Sequence, residues 1–250
     1  MDVRLRDRFI GLWAKYFGPA ELPICMYYSD DVGCRKFLRP TKGHVCMVGQ
    51  LDLARRGETV SFDKDSIGCF GGKRYLGFTT QTMPDFEYFL SCGIPGKIEG
   101  ERYKKTPELV RELMKDAVPF SAPARYAVFK RWDKLTEKDA PDVVIFFASP
   151  DVLSGLYTLA GFDTAAPDGV ICPFGAGCST ITQRPYLEGQ RPEPRAVLGM
   201  FDVSARPFVP EAALSFSVPL KKFIAMVNDM EESFLTTASW AKVRKRIHST

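Results

Sequence analysis

Apolar positions along the chain follow two different periods. Phe9, Leu12, Trp13 and Tyr16 recur at i, i+3, i+4 and i+7, the stripe of an amphipathic helix with one packed face. Ile24-Cys25-Met26-Tyr27-Tyr28-Ser29 is instead a short apolar run ending in the turn residues Asp30-Asp31, and Val144 to Ser149 does the same before Pro150-Asp151, so both predict buried strands. Val128 and Phe129 lie in a further strand, after a proline-rich link between Pro119 and Pro123. Thr106-Pro107-Glu108 opens a helix carrying Leu109, Val110, Leu113 and Met114, and Ser149-Pro150-Asp151 opens another, each with proline at the first helical position. Phe223, Met226, Val227 and Met230 give the core stripe of a helix after Pro219, and Thr236 is placed to cap a last one. Alternation of the two periods predicts an α/β or α+β fold and leaves the strand order open.

The same order of events occurs twice. Ile24–Asp31 matches Val144–Asp151, and Leu53-Ala54 before Gly57 matches Leu159-Ala160 before Gly161. Ile67-Gly68-Cys69-Phe70-Gly71-Gly72 then matches Ile171-Cys172-Pro173-Phe174-Gly175-Ala176, followed by Tyr75–Phe78 with Val197–Met200 and Leu90–Pro95 with Leu214–Pro219. The offset runs from 104 (171 − 67) to 124 (214 − 90). Five matches in one order predict two diverged copies of one mixed strand/helix unit, packed about a pseudo-twofold axis within one compact body. Residues 1–120, with the N-terminal helix, form the first unit. Residues 121–250, with the C-terminal helix, form the second. Superposing 20–118 on 138–235 is expected to bring Ile67–Gly72 onto Ile171–Ala176.

Composition narrows the class. With 45% hydrophobic and 26% charged residues, the chain can bury a core and is not of a disordered type. The net charge of +4 is mild, and the one dense basic run, Lys242 to Arg246, reads as the solvated last turn of a helix, so no nucleic-acid partner is expected. The longest apolar run, Val143–Ala148, has strand length, and Met1 to Arg8 carries charges where a signal peptide needs apolar residues. These features predict a cytoplasmic protein with no membrane partner. The seven cysteines are then reduced thiols with no structural disulfide, Cys172 and Cys178 being the pair that oxidises first in air. A homo-oligomer is neither required nor excluded.

Cys46, Ala54-Arg55-Arg56-Gly57-Glu58, Cys69 with Gly71-Gly72, Leu76-Gly77, and the stretch Gly169 to Gly175 together resemble the domain of unknown function 169 family over nearly the whole chain. The resemblance implies a prokaryotic, cytoplasmic protein and carries no established activity with it.

Two kinds of chemistry are open. No Cys-x-x-Cys occurs, so the spacings of structural zinc, thioredoxin-like and ferredoxin sites are absent. Thiols beside glycine nonetheless suit a soft metal, because glycine lets backbone wrap closely around sulfur. Cys46, Cys69, Cys172 and Cys178 are the expected ligands of a zinc ion or an iron–sulfur cluster between the two units, which would support a redox or lyase-type enzyme. Alternatively, a non-catalytic protein holds an anionic small molecule in its glycine loops. Gly71, Gly72, Lys73 and Arg74 serve one loop, and Gly175, Gly177 and Ser179 the other, with Arg184, Arg195 and Arg206 as sources of charge. His44 stands two residues before Cys46, where a helix would turn the two side chains to different faces, and His248 lies at the terminus.

Overall fold

The computed structural model describes residues 1–31, 45–115 and 117–247, with the backbone of residues 36–37. In chain order come helix α1 (Val3–Phe17), strands β1 (Ile24–Ser29) and β2 (Lys36–Phe37), helix α2 (Met47–Arg55), strand β3 (Val60–Phe62) and helices α3 (Phe70–Tyr75), α4 (Phe86–Phe89) and α5 (Pro107–Lys115). Strands β4 (Tyr126–Arg131) and β5 (Val143–Ala148), helix α6 (Pro150–Ala160) and strand β6 (Val170–Ile171) follow. A π-helical turn (Ser179–Gln183) then runs into α7 (Arg184–Glu188), before strands β7 (Ala196–Gly199) and β8 (Leu214–Pro219) and helices α8 (Leu220–Asp229) and α9 (Ala238–Arg244).

Among the described residues, eight strands form one mixed sheet in the order β2-β3-β4-β1-β5-β8-β7-β6. β1 and β5 meet antiparallel at its centre, with Ile24 opposite Ile145 and Met26 opposite Val143. Outward from that pair, both sides repeat one pattern. β1–β4 and β5–β8 are antiparallel, as are β4–β3 and β8–β7, while β3–β2 and β7–β6 are parallel. The mixed α/β class is as the two periods predict.

The five sequence matches behave differently. Only the first joins strands in corresponding places, β1 and β5, and it is one residue out of register. Ile24 and Met26 face the same core as Val143, Ile145 and Phe147, while Cys25 faces the same core as Val144, Phe146 and Ala148. Pairing Ile24 with Val144 would exchange the two faces, because side chains alternate along a strand. The other four matches join unlike elements: α2 with α6, the start of α3 with the segment leaving β6, the end of α3 with β7, and a turn with β8. Ile67–Gly72 and Ile171–Ala176 therefore hold different places in the strand order. β4 also lies beyond the boundary expected near residue 120, yet it pairs with β1 and β3.

Helices cover both faces. On one, the predicted stripe of α1 packs with α6, α8 and α9: Trp13 stacks on Phe17 at 4.2 Å, and Phe9 meets Phe223 at 4.9 Å. Each pair adds about 0.5–1.5 kcal/mol beyond its buried area. Gly155 of α6 makes room for Trp240, whose ring lies 2.4 Å from where a Cβ would stand. Thr237, not Thr236, caps α9, accepting from the Trp240 N–H. On the opposite face lie α2, α3, the π-helical turn and α7, over Ile24, Met26, Val60, Phe62, Phe129 and Ile145. Three cysteines come together on that second face.

Candidate functional site

Each of the three begins a helix. Cys46 is the N-cap of α2, Cys69 is the N-cap of α3, and Cys178 immediately precedes the π-helical turn. Helix starts leave backbone N–H groups without intrahelical partners, and at α3 a thiol serves one of them. Cys69 Sγ accepts from the Gly72 N–H at 3.3 Å, whereas Cys46 and Cys178 make no side-chain cap hydrogen bond.

Glycine keeps the space between them. α3 reads Phe-Gly-Gly-Lys-Arg-Tyr, and each of its two glycines costs roughly 1 kcal/mol against alanine in a helix. A Cβ on Gly72 would stand 2.8 Å from Cys69 Sγ and 3.0 Å from Met47 Cβ, and one on Gly71 would stand 3.5 Å from Cys178 Sγ. At Gly72 sulfur occupies volume that a side chain would need, whereas at Gly71 the Cys178 sulfur lies at ordinary contact distance.

The thiols and one carboxylate act on each other. Burial pushes the Cys46 thiol up, with Cys69 and Asp202 adding to it and the nearby Val48 and Gly49 backbone opposing it. Burial raises Cys178 well above the ordinary thiol range, with Cys69, Cys46 and Asp202 adding to it. Tyr75 is raised by burial and by Cys178. Burial and neighbouring negative charge both favour the neutral form of Cys46 and Cys178.

Asp202 is the residue that motif reasoning missed. It accepts from the Gly177 N–H at 2.9 Å and from Ser204 N and Oγ at 3.0 and 2.7 Å, fixing the loop that delivers Cys178. Asp202-Val203-Ser204 is a recognisable turn signal, but nothing local names Gly177 as its partner.

Of the four expected metal ligands, the structure brings together Cys46, Cys69 and Cys178. Cys172 is exposed just past the edge strand β6, whereas Cys178 is buried near Cys69 and Cys46. Among the described residues, no three His, Cys, Asp or Glu side chains are arranged to hold a metal ion as they stand. The four-cysteine shell expected for zinc or an iron–sulfur cluster is thus not preformed. Cys34, His44 and His248 lie outside the described residues.

The expected anion loops are satisfied from within. Gly71, Gly72, Lys73 and Arg74 form a helical turn rather than a loop, and Arg74 donates to the carbonyls of Thr80 and Gln81 at 2.8 and 3.0 Å. In the second loop the anion on Gly177 is the chain's own Asp202, and the buried Ser179 hydroxyl donates to Gln183 Oε1 at 3.3 Å; a Cβ on Gly175 would rest 3.9 Å from Ser179. Arg195 is held by Glu188, Arg206 donates to the carbonyls of Ala213 and Glu211, and Arg184 is exposed.

A second titratable group lies at the start of β5. Burial pushes Asp142 up to about 6, against the Tyr28 N–H that it accepts at 3.3 Å.

Among the described residues, no helix is long and apolar enough to cross a membrane. No curated protein and no solved structure shows a significant match to the chain. The family model described as "Uncharacterised ArCR" matches residues 14–229, which include every member of the thiol group, and the chain belongs to that family, DUF169.

Proposed function

We propose that this protein binds a thiophilic inorganic species through Cys46, Cys69 and Cys178, in a cytoplasm that keeps those thiols reduced, and that it needs neither nucleic acid nor membrane as a partner. The observation that carries the reading is that Cys69 and Cys178 lie against the consecutive glycines Gly72 and Gly71, with Cys46 at the start of α2 on the same face of the sheet. In kind, the donor set suits a soft ion, since thiolate sulfur selects zinc, monovalent copper and iron–sulfur centres over hard cations. A bound metal would supply Lewis acidity or electron transfer. The chain's own part would be to present these sulfurs, Cys69 and Cys178 buried and Cys46 half-buried.

Cadmium titration of metal-free, anaerobic protein tests this. A sulfur-to-cadmium charge-transfer band is expected, lost in Cys69→Ser and Cys178→Ser and kept in Cys172→Ser. No band, or an unchanged band in Cys178→Ser, overturns the reading.

We further infer that the chain is an internal duplication in a register other than that of the sequence matches. Ile24–Ser29 corresponds to Val143–Ala148 and Tyr126–Arg131 to Leu214–Pro219, strands of equal length in equivalent places. The units then divide between β4 and β5, and α2 corresponds to the π-helical turn with α7. Cys46 and Cys178 become counterparts. In an experimental structure, a single rotation of about a half-turn should overlay both strand pairs; two unrelated rotations would exclude a common origin.

A further inference from the structure

We infer that Asp142 and the rings of Tyr28 and Tyr186 form a binding site for a small organic ammonium ion, apart from the thiols. Two independent observations carry it: a shielded carboxylate without a cation, and the aromatic group beside it.

Elsewhere in the chain, carboxylates shielded from water are matched by a cation. Asp139 holds Lys130 at 2.9 Å, Asp133 holds Arg131 at 2.6 Å, and Glu188 holds Arg195 at 2.7 Å. Burial works to raise Asp139 and Glu188, yet their hydrogen bonds hold both below the ordinary carboxylate range. Asp142 is different. Its backbone is fixed on both sides, the N–H donating to the Met26 carbonyl and the carbonyl accepting from the Leu220 N–H, each at 2.9 Å. Its carboxylate accepts from the Tyr28 N–H at 3.3 Å, and among the described residues no Lys or Arg acts on it. A shielded carboxylate in this state costs stability, which a cation from outside would restore.

The rings decide what kind of cation. Tyr28 and Tyr186 meet at 5.3 Å and 82°, and Phe120 lies 5.4 Å from Tyr186 and 6.2 Å from Tyr28, inclined to both. Their faces are therefore turned in different directions rather than stacked. The Tyr28 ring is held in place by its hydroxyl, which donates to the Leu76 carbonyl at 3.0 Å. Burial raises both phenols, and Asp142 is near enough to add to it. Asp142, Tyr28 and Tyr186 are each partly exposed, so a ligand can reach the charge and the rings together. One carboxylate is a poor host for a hard ion such as calcium, which takes about six to eight oxygens. An ammonium group carried on carbon asks only for a negative charge and ring faces.

Calorimetric titration of the whole, reduced protein with tetramethylammonium chloride at neutral pH, against sodium chloride at equal ionic strength, gives the test. One site per chain is expected, with a Kd of about 1 mM or lower, and none for sodium. Asp142→Asn keeps the shape of the side chain and removes its charge, so affinity should fall at least about tenfold. The thermal midpoint of that variant at neutral pH should not drop, which separates lost binding from lost folding. Tyr186, partly exposed on α7, supplies an independent pair. Tyr186→Phe should bind as the native chain does, because the ring rather than the hydroxyl meets the cation, whereas Tyr186→Leu should lose about fivefold or more. Absence of saturable binding, equal binding of sodium, or undiminished affinity in either Asp142→Asn or Tyr186→Leu overturns the site.

Discussion

The two halves of the sheet solve one packing problem in different ways. Beneath α2 in the first half, β3 and β4 present Val60, Phe62, Ala127 and Phe129. At the corresponding place in the second, β7 and β8 present Val197, Gly199, Ser215 and Ser217 beneath the π-helical turn. Large side chains hold α2 off as a regular helix, whereas small ones let the other helix descend. A Cβ on Gly199 would meet Thr180 Oγ1 at 2.3 Å and Ser215 Oγ at 2.9 Å. The Ser215 and Ser217 hydroxyls are buried without a hydrogen-bond partner, as expected where smallness rather than polarity is required. Helix depth then sets thiol exposure: Cys46 stays half-buried at the start of the raised helix, and Cys178 is buried at the start of the lowered one. One short irregular turn thus decides which thiol meets solvent.

The comparison breaks first, and most visibly, in the first half. Phe62 is fully buried, so Phe62→Ala should cost about 3–4 kcal/mol in urea unfolding, and a loss below about 1 kcal/mol would mean that α2 does not rest on it. In the second half the danger is the opposite, added volume. Gly199→Ala should cost about 2–3 kcal/mol and shift the π-helical turn, while an unchanged midpoint would remove the close approach from the account. The thiols give a kinetic contrast. Under native conditions iodoacetamide should modify Cys46 about tenfold faster than Cys178, as mapped by peptide mass spectrometry, and equal rates would show that depth does not control access.

The smallest effect concerns the strand starts, where Pro23 leads into β1 and Asp142 into β5. The folded-state pKa of Asp142, about 6, lies above its ordinary value of 3.8, so the folded chain binds this proton more tightly than the unfolded one. Its contribution is fully present below about pH 4 and is lost as pH rises through about 6. Asp142→Asn should therefore stabilise by about 1 kcal/mol at neutral pH, after allowance for partial exposure, and by nothing near pH 4. Equal effects at both pH values would show that burial is not what raises this carboxyl.

Legibility in the sequence followed distance along the chain. The α1 stripe, the strands β1 and β5 and the proline-led starts of α5 and α6 each rest on neighbouring residues, and they appear where the periods place them. Glycine beside Cys69 correctly suggested close approach, although Gly71-Gly72 lies in a helix rather than a loop. Cys172 and Cys178 are equally near glycine in sequence, and nothing local separates the exposed thiol from the buried one.

By itself the sequence determined the periodicity of each element, the absence of any apolar run long enough to span a bilayer, and the kinds of donor available to a site, because these depend on residue type and short-range spacing. Only the tertiary structure decided that β4 joins β1 and β3, that Ile24 lies opposite Ile145, and that Asp202 anchors the loop of Cys178. Strand pairing and thiol contact join residues tens to more than a hundred positions apart. A slip of one residue in a strand, invisible to composition, exchanges every side chain between the two faces of the sheet.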